Sequence, residues 1–301
     1  LEIEVNNMKA KTVDKIATII LYMISFFVIL LLAAFVGYII YKGKDSLNFK
    51  FLFGNPKIDE PGGGIGPQLF NSFYMLIISL LITIPLGLGA GIYLSEYAKE
   101  GKILNFIRLC IETMASLPSI VVGLFGLLVF VTMTGWGYTL ISGALAITVL
   151  NLPSMTRVSE NAIKAAGVKV KEASLGLGAT QWQTIKKVIL PSAMPQILTG
   201  VILSAGRIFG EAAALLYTAG MSAPVLRYTR FSLISKASPY SLFRPAETLA
   251  VHIWKLNSEG IVPDAGKIAN GSSAVLIIMV LLFNVIARII GNKIYKSYSG
   301  K

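Results

Sequence analysis

The chain has 301 residues, 54% of them hydrophobic and only 14% charged, with a mean hydropathy of +0.70. That leaves too little polar surface to cover a soluble globule of this length, so several helices must face lipid. The formal net charge of +12 is dispersed over connecting segments rather than gathered on one amphipathic face, which argues for anchoring to anionic membrane lipid and against nucleic-acid binding.

Six apolar stretches, at 16–41, 68–95, 107–133, 136–157, 198–220 and 272–295, are each long enough to cross a hydrocarbon core, and predict an all-α polytopic membrane protein with six transmembrane helices. Leu1 points to a processed chain or an unusual start, with Met8 an alternative beginning, so residues 1–8 carry no fold expectation. Residues 1–15 form a cytoplasmic N-terminal segment. The stretch 16–41 is too long for a signal-peptide core and lacks a small-residue cleavage site, so it reads as a retained leader helix. An external connection, 42–67, ends in EPGGGIGP, where Gly62, Gly63 and Gly64 suit a flexible turn better than an anion nest, because no Lys-Ser/Thr pair follows. A core at 68–295 and a cytoplasmic tail at 296–301 complete the chain. Inner connections richer in Lys and Arg than the outer ones place both termini in the cytoplasm.

In the second stretch, Pro85 with Gly87, Gly89 and Gly91 predicts a kink and close helix approach. Cys110, the single cysteine, sits in apolar company and reads as packing, and one cysteine cannot form a disulfide or a Cys-rich metal site within the chain. His252 is the single histidine, so a His-based metal or proton relay has no support. Ser116, Ser119 and Asn151 are polar residues at membrane depth, fit either to line a pathway or to bond neighbouring backbone.

Composition changes most in the cytoplasmic loop 158–197. Short helices are expected at 162–166 and 170–175, broken at Gly167 and at Gly176 and Gly178, and a further helix at 179–190 stops ahead of Pro191. The expected shape is a helix–turn–helix on the cytoplasmic surface. In the following stretch, Arg207 and Glu211 lie near the middle of ILTGVILSAGRIFGEAAALLYTAG, where each charge costs at least ~2.5–3.5 kcal/mol on insertion scales. Helical i, i+4 spacing would pair them on one face. Such a pair either fastens helices together or leaves Arg207 as a forked donor to a passing anion, with Glu211 setting its orientation.

The run Glu172-Ala173-Ser174, Gly178, Val188, Leu190-Pro191 resembles the EAA loop of bacterial ABC importer permeases, with Ser174 replacing the second Ala and Val188 replacing Ile. The resemblance implies the type I ABC importer permease fold and a loop helix that docks on a separate ATPase subunit. No Walker A loop is present in the sequence, so ATP hydrolysis is expected of the partner and the chain is not itself an enzyme. With LPSIVVGLFGLLVF at 117–130 and GRIFGEAAALLYTAG at 206–220, the resemblance narrows to phosphate permeases of the PstA type, and covers essentially 68–295. It implies that Arg207 serves phosphate translocation. Its implied partners are a homologous permease, two copies of an ATP-binding subunit and an extracellular or periplasmic phosphate-binding protein, with no cofactor or metal. Ala212 and Ala214 stand where that family usually has Thr and Pro, so a hydroxyl contact to the anion is missing there.

The external loop 221–271 carries Arg227, Arg230, Lys236, Arg244, Lys255 and Lys267 among Tyr228, Phe231, Tyr240, Phe243 and Trp254, a composition that suits a contact with a binding protein or an apron on the membrane surface. Other readings are a permease for another oxyanion, such as sulfate or molybdate, and a secondary anion transporter working without ATP. A membrane enzyme would need clustered catalytic groups, and the acidic residues and the one histidine are scattered.

Overall fold

The computed structural model describes residues 2–57, 60–224, 226, 231–235, 238–260 and 262–299, without the side chains of 2–10, 168–169 and 294–299. Every regular element among them is helical: α1 (Glu2–Gly43), α2 (Phe49–Phe53), α3 (Gly66–Ile92), α4 (Lys102–Ala115), α5 (Ser119–Gly126), α6 (Leu140–Gly176), α7 (Gln181–Thr184), α8 (Leu190–Gly210), α9 (Ala213–Leu216), α10 (Leu249–Glu259) and α11 (Ala265–Ser299). Wider helical turns extend α3 through Tyr97 and α5 through Met133, and join α7 to α8.

Four described helical stretches are long and apolar enough to cross a membrane: Lys11–Ser46, Gly66–Tyr97, Gln181–Gly210 and Ala265–Lys293. They overlap the expected first, second, fifth and sixth spans, but the fifth stretch starts 17 residues earlier than expected, inside the expected loop 158–197, and α8 ends ten residues short of the expected limit at 220. The third expected span, 107–133, is not one straight helix. The chain turns by 98° between α4 and the α5 stretch. Pro118 explains the break, because its ring disfavours helical geometry at Leu117 and it offers no N–H to continue the ladder.

The fourth expectation, 136–157, falls on α6, which is the centre of the molecule. Gly87 and Gly91 of α3 lie so close to α6 that an added Cβ would come within 2.6 Å of Met155 Cγ and 2.5 Å of Ser159 Cβ, whereas Gly89 faces open space. On the other side, a Cβ at Gly200 of α8 would meet Val158 Cγ1 at 2.7 Å. Surrounded by protein, α6 tolerates the buried polar residues Thr148, Asn151, Thr156, Ser159 and Glu160, and is accordingly less apolar than a lipid-facing helix. One core cluster gathers Met75, Leu140, Ile147, Phe209, Leu215, Leu249 and Met279, and a second gathers Met155, Ile163, Ile185, Ile189 and Ile197.

Two boundaries around loop 158–197 also differ from expectation. Gly167 does not break α6, which runs for 37 residues; the glycine is buried, with Glu96 Oε1 and Ile189 Cδ1 less than 4 Å from where its Cβ would be. Pro191 does not stop the helix before it, since the wide turn Ile185–Ile189 leads directly into α8 with proline in its first turn, where no N–H is needed. Cys110, expected in packing, is exposed on α4. The leader helix is exposed along its apolar stretch and touches α11, where a Cβ at Gly43 would meet Ala274 Cβ at 2.5 Å. Gly62 takes a positive φ of 85° and donates its N–H to Asp264 Oδ2 at 2.9 Å, so the glycine run is a turn held by a carboxylate.

The N-terminus of α6 is capped by Thr139, and Leu140 and Ile141 donate their N–H groups to the carbonyls of Arg244 (2.9 Å) and Leu242 (3.0 Å). The expected external loop is therefore partly interior. Arg244, 1% exposed, donates to Pro239 O, Pro245 O and Asn71 Oδ1. Asn71 donates to Glu247 O, while the buried Glu247 carboxylate accepts from Gln68 Nε2 at 3.0 Å and meets His252 Nδ1 at 3.2 Å. Phe231 and Trp254 stay exposed, and Arg227, Tyr228, Arg230 and Lys236 lie outside the described residues.

Candidate functional site

Two regions carry the expected functional residues, at opposite parts of α8. The first is the hairpin between α6 and α7. Gly178 takes φ 86°, the left-handed conformation that L side chains rarely adopt, and closes the helix end. Thr180 then starts α7 through a capping box: its hydroxyl accepts from Gln183 N, and the Gln183 side chain accepts from Thr180 N at 3.0 Å. Ser174 and Thr184 share a hydrogen bond of 2.9 Å across the hairpin. Glu172 and Ala173 are exposed, and Leu190 and Pro191 are half-buried at the start of α8.

The hairpin is braced from α3. Glu96, 4% exposed, forms an ion pair of 2.7 Å with Lys171, and Gln181 donates to Glu96 O at 2.7 Å. Nearby, Glu160 accepts from Arg108 and Lys164, each at 2.8 Å, tying α4 to α6. Burial pushes the Glu160 carboxyl up, but the two cations outweigh it and hold it below the usual carboxylate range. At the tip, Leu177 is 89% and Trp182 55% exposed. Sequence reading did not single them out, although an apolar residue beside a turn glycine was a usable signal.

The second region surrounds Arg207. The expected Arg207–Glu211 pair is not formed, because α8 ends at Gly210 and Glu211 adopts an extended backbone. Glu211 instead accepts from Ala214 N at 3.1 Å. The segment that follows packs on small residues of α5: a Cβ at Gly123 would meet Ala214 Cα at 2.8 Å, and one at Gly126 would meet Thr218 Cγ2 at 2.7 Å. Arg207 is exposed in the last turn of α8, with no hydrogen bond or ion pair to another described residue.

Among the described residues, none of the other polar candidates is hydrogen-bonded to it. Ser116 is exposed in the bend and donates to Thr113 O at 2.7 Å; Ser119, half-buried, is the first residue of α5. Asn151 is 1% exposed inside α6 and donates to Ile147 O at 3.1 Å, leaving its buried Oδ1 without a described partner.

Residues 83–299 match the family described as binding-protein-dependent transport system inner membrane component. The chain belongs to this family. The permease is 54% identical to the probable ABC transporter permease protein YqgI of Bacillus subtilis (strain 168), over 96% of its own length and 98% of the relative's. It is 31% identical to the phosphate transport system permease protein PstA of Yersinia pestis, over 83% of its length and 80% of that protein. A crystal structure of a bacterial alginate ABC transporter superposes with a TM-score of 0.62 at 17% identity, covering 93% of the permease and 95% of the solved chain. The methionine transporter MetNI gives 0.53 at 19% identity, over 78% and 94%. The permease thus has the type I ABC importer permease fold and spans the membrane as part of a binding-protein-dependent system.

Proposed function

We propose that the permease imports inorganic phosphate, forming half of a translocation pathway with a homologous permease subunit. Two copies of an ATP-binding subunit dock on the hairpin of Glu172, Ala173, Ser174 and Gly178 and supply the ATP hydrolysis, and an extracellular or periplasmic phosphate-binding protein delivers the anion. Both termini lie in the cytoplasm, as does loop 158–197, while loop 221–271 faces the binding protein.

The observation that carries this reading is the exposure of Arg207 on a membrane helix, without a described counter-charge. A guanidinium at membrane depth needs water, an acidic partner or a passing anion, and its planar fork suits two oxygens of a tetrahedral oxyanion. The likeness to PstA of Yersinia pestis supports phosphate as that anion. Two-oxygen recognition equally suits sulfate or molybdate, which makes a permease for another oxyanion the second reading.

The deciding experiment is uptake of labelled phosphate and sulfate into vesicles carrying the permease with its co-purifying subunits, with and without ATP, beside Arg207→Gln. Expected are ATP-dependent phosphate uptake, no competition by sulfate, and loss of uptake in the variant with assembly preserved. Sulfate uptake would replace the substrate; normal transport by Arg207→Gln would remove the arginine from the path; uptake indifferent to ATP would overturn the importer reading.

A further inference from the structure

The exposed residues of α8 are Ser192, Pro195, Gln196, Thr199, Leu203, Arg207 and Gly210. At 100° per residue they fall on one stripe about 120° wide. Lipid-facing helices should expose apolar side chains, and two other long helices do so: α11 with Leu281, Leu282, Val285, Ile286, Ile289 and Ile290, and the leader helix along nearly all of its length. The α8 stripe exposes one large hydrophobic residue, Leu203, among hydroxyl, amide, glycine and guanidinium groups. This composition is costly against hydrocarbon and natural against water.

Between Arg207 and the Gly178 hairpin, the stripe borders a cleft of about 500 Å³ shared by α8 and α11, lined by Thr199 and Leu203 on one side and Arg288 and Asn292 on the other. The helices are held together beside it by Gly291, buried so tightly that a Cβ would fall 1.6 Å from Leu198 Cδ2. Arg288 is exposed, with no ion pair or hydrogen bond to another described residue. Thr199 already donates its hydroxyl to Pro195 O at 3.0 Å, so the free donors in the cleft are the guanidinium and the Asn292 amide. From Arg207 to Thr199 the path is eight residues, about 12 Å along the axis.

We infer that this cleft is the part of the anion path on the hairpin side, and that Arg288, assisted by Asn292, is a second cationic station at which the oxyanion rests before release. The inference builds on the reading of Arg207 as a pathway residue. Two stations of one charge sign, the second in a cleft whose Thr199 wall lies about 12 Å along α8 from Arg207, let an anion step inward without leaving all its favourable contacts at once. An anionic phospholipid headgroup presents the same phosphate chemistry and is the competing occupant.

The test uses inside-out vesicles carrying the complete complex in a Cys110→Ser background, with single cysteines and a membrane-impermeant anionic thiosulfonate. Thr199→Cys and Leu203→Cys are expected to react at least about tenfold faster than Leu282→Cys and Ile286→Cys, because only a hydrated thiol ionises readily. Inorganic phosphate should slow the reaction at position 199. Arg288→Gln should abolish that protection and lower uptake about tenfold, with Arg288→Lys restoring part of both. Reaction at 199 and 203 as slow as at 282 and 286 overturns the inference, as does protection by anionic phospholipid in place of phosphate. Slow labelling beside a transport-dead Arg207→Gln sinks the cleft and leaves the Arg207 reading standing. Phosphate-protected labelling beside a fully active Arg207→Gln does the reverse.

Discussion

Replacing Arg244 by Met should be among the most damaging single changes in the permease, although the residue lies in a loop. Its guanidinium is 1% exposed and supplies four hydrogen bonds: two to Pro239 O at 2.9 and 2.7 Å, one to Pro245 O at 3.0 Å and one to Asn71 Oδ1 at 2.8 Å. Methionine fills part of the volume and returns none of these donors, leaving three acceptors unsatisfied at about 1–3 kcal/mol each. It also frees the Asn71 amide, which Arg244 orients for its own bond to Glu247 O. A loss of roughly 3–5 kcal/mol is therefore expected, a large part of the usual ~5–15 kcal/mol stability of a folded protein. Lysine should recover little, because one ammonium cannot reach the three acceptors in forked geometry. The assay is equilibrium unfolding of the purified protein in mixed micelles titrated with a denaturing detergent, comparing wild type, Arg244→Met and Arg244→Lys. A loss under about 1 kcal/mol in the Met variant would refute the reasoning, since it would mean that water reaches these acceptors and the network is not interior.

Glu172→Lys should reduce co-purification of the ATP-binding subunit and abolish ATP-driven uptake while the membrane fold stays intact; unchanged co-purification and uptake would remove the hairpin from the docking surface. Gly178→Val forces a β-branched residue into φ 86° at about 1–2 kcal/mol, so transport should fall through a displaced tip, measured as loss of coupling between ATP hydrolysis and uptake with thermal stability only slightly lowered. The Glu160 carboxyl, held below its ordinary value of 4.5, contributes stability that is complete above that value and lost as pH falls through the lower folded one. Wild-type stability should thus be flat from pH 7 down to about 5 and drop below about 4.5, whereas Glu160→Gln should show a smaller acid-dependent drop in the same pH titration.

The hairpin was legible because its signals are local. Gly178, Thr180 and Gln183 lie within six residues of one another and need no distant partner to define a turn and a cap. The arginine on α8 was legible for a different reason, since a charge in an apolar stretch is conspicuous wherever it packs. Its supposed pairing with Glu211 was not, because the end of α8 is decided by distant small residues: Gly123 and Gly126 admit the backbone of 213–218, and the helix gives way to that packing. The bend at 116–118 did have a local mark in Pro118, overlooked because hydropathy averages across a break. Arg244, Asn71 and Gln68 could not have been joined from the sequence, for their partners are some 170 to 180 residues away.

The continuity of α6 has a mechanical consequence. Its 37 residues, with Pro153 inside, form one continuous helix of about 55 Å, clamped at one end to the carbonyls of Leu242 and Arg244 and ending at the other in the exposed turn of Leu177 and Gly178. A tilt of only about 5° about its midpoint would shift the two ends in opposite directions by about 2–3 Å each. Under the proposed docking, with an ATP-binding subunit at one end and a binding protein at the other, this helix would work as a seesaw. Under that docking, pressure from outside and pulling from inside would be the same motion, and each partner's affinity would depend on the other's by an equal factor.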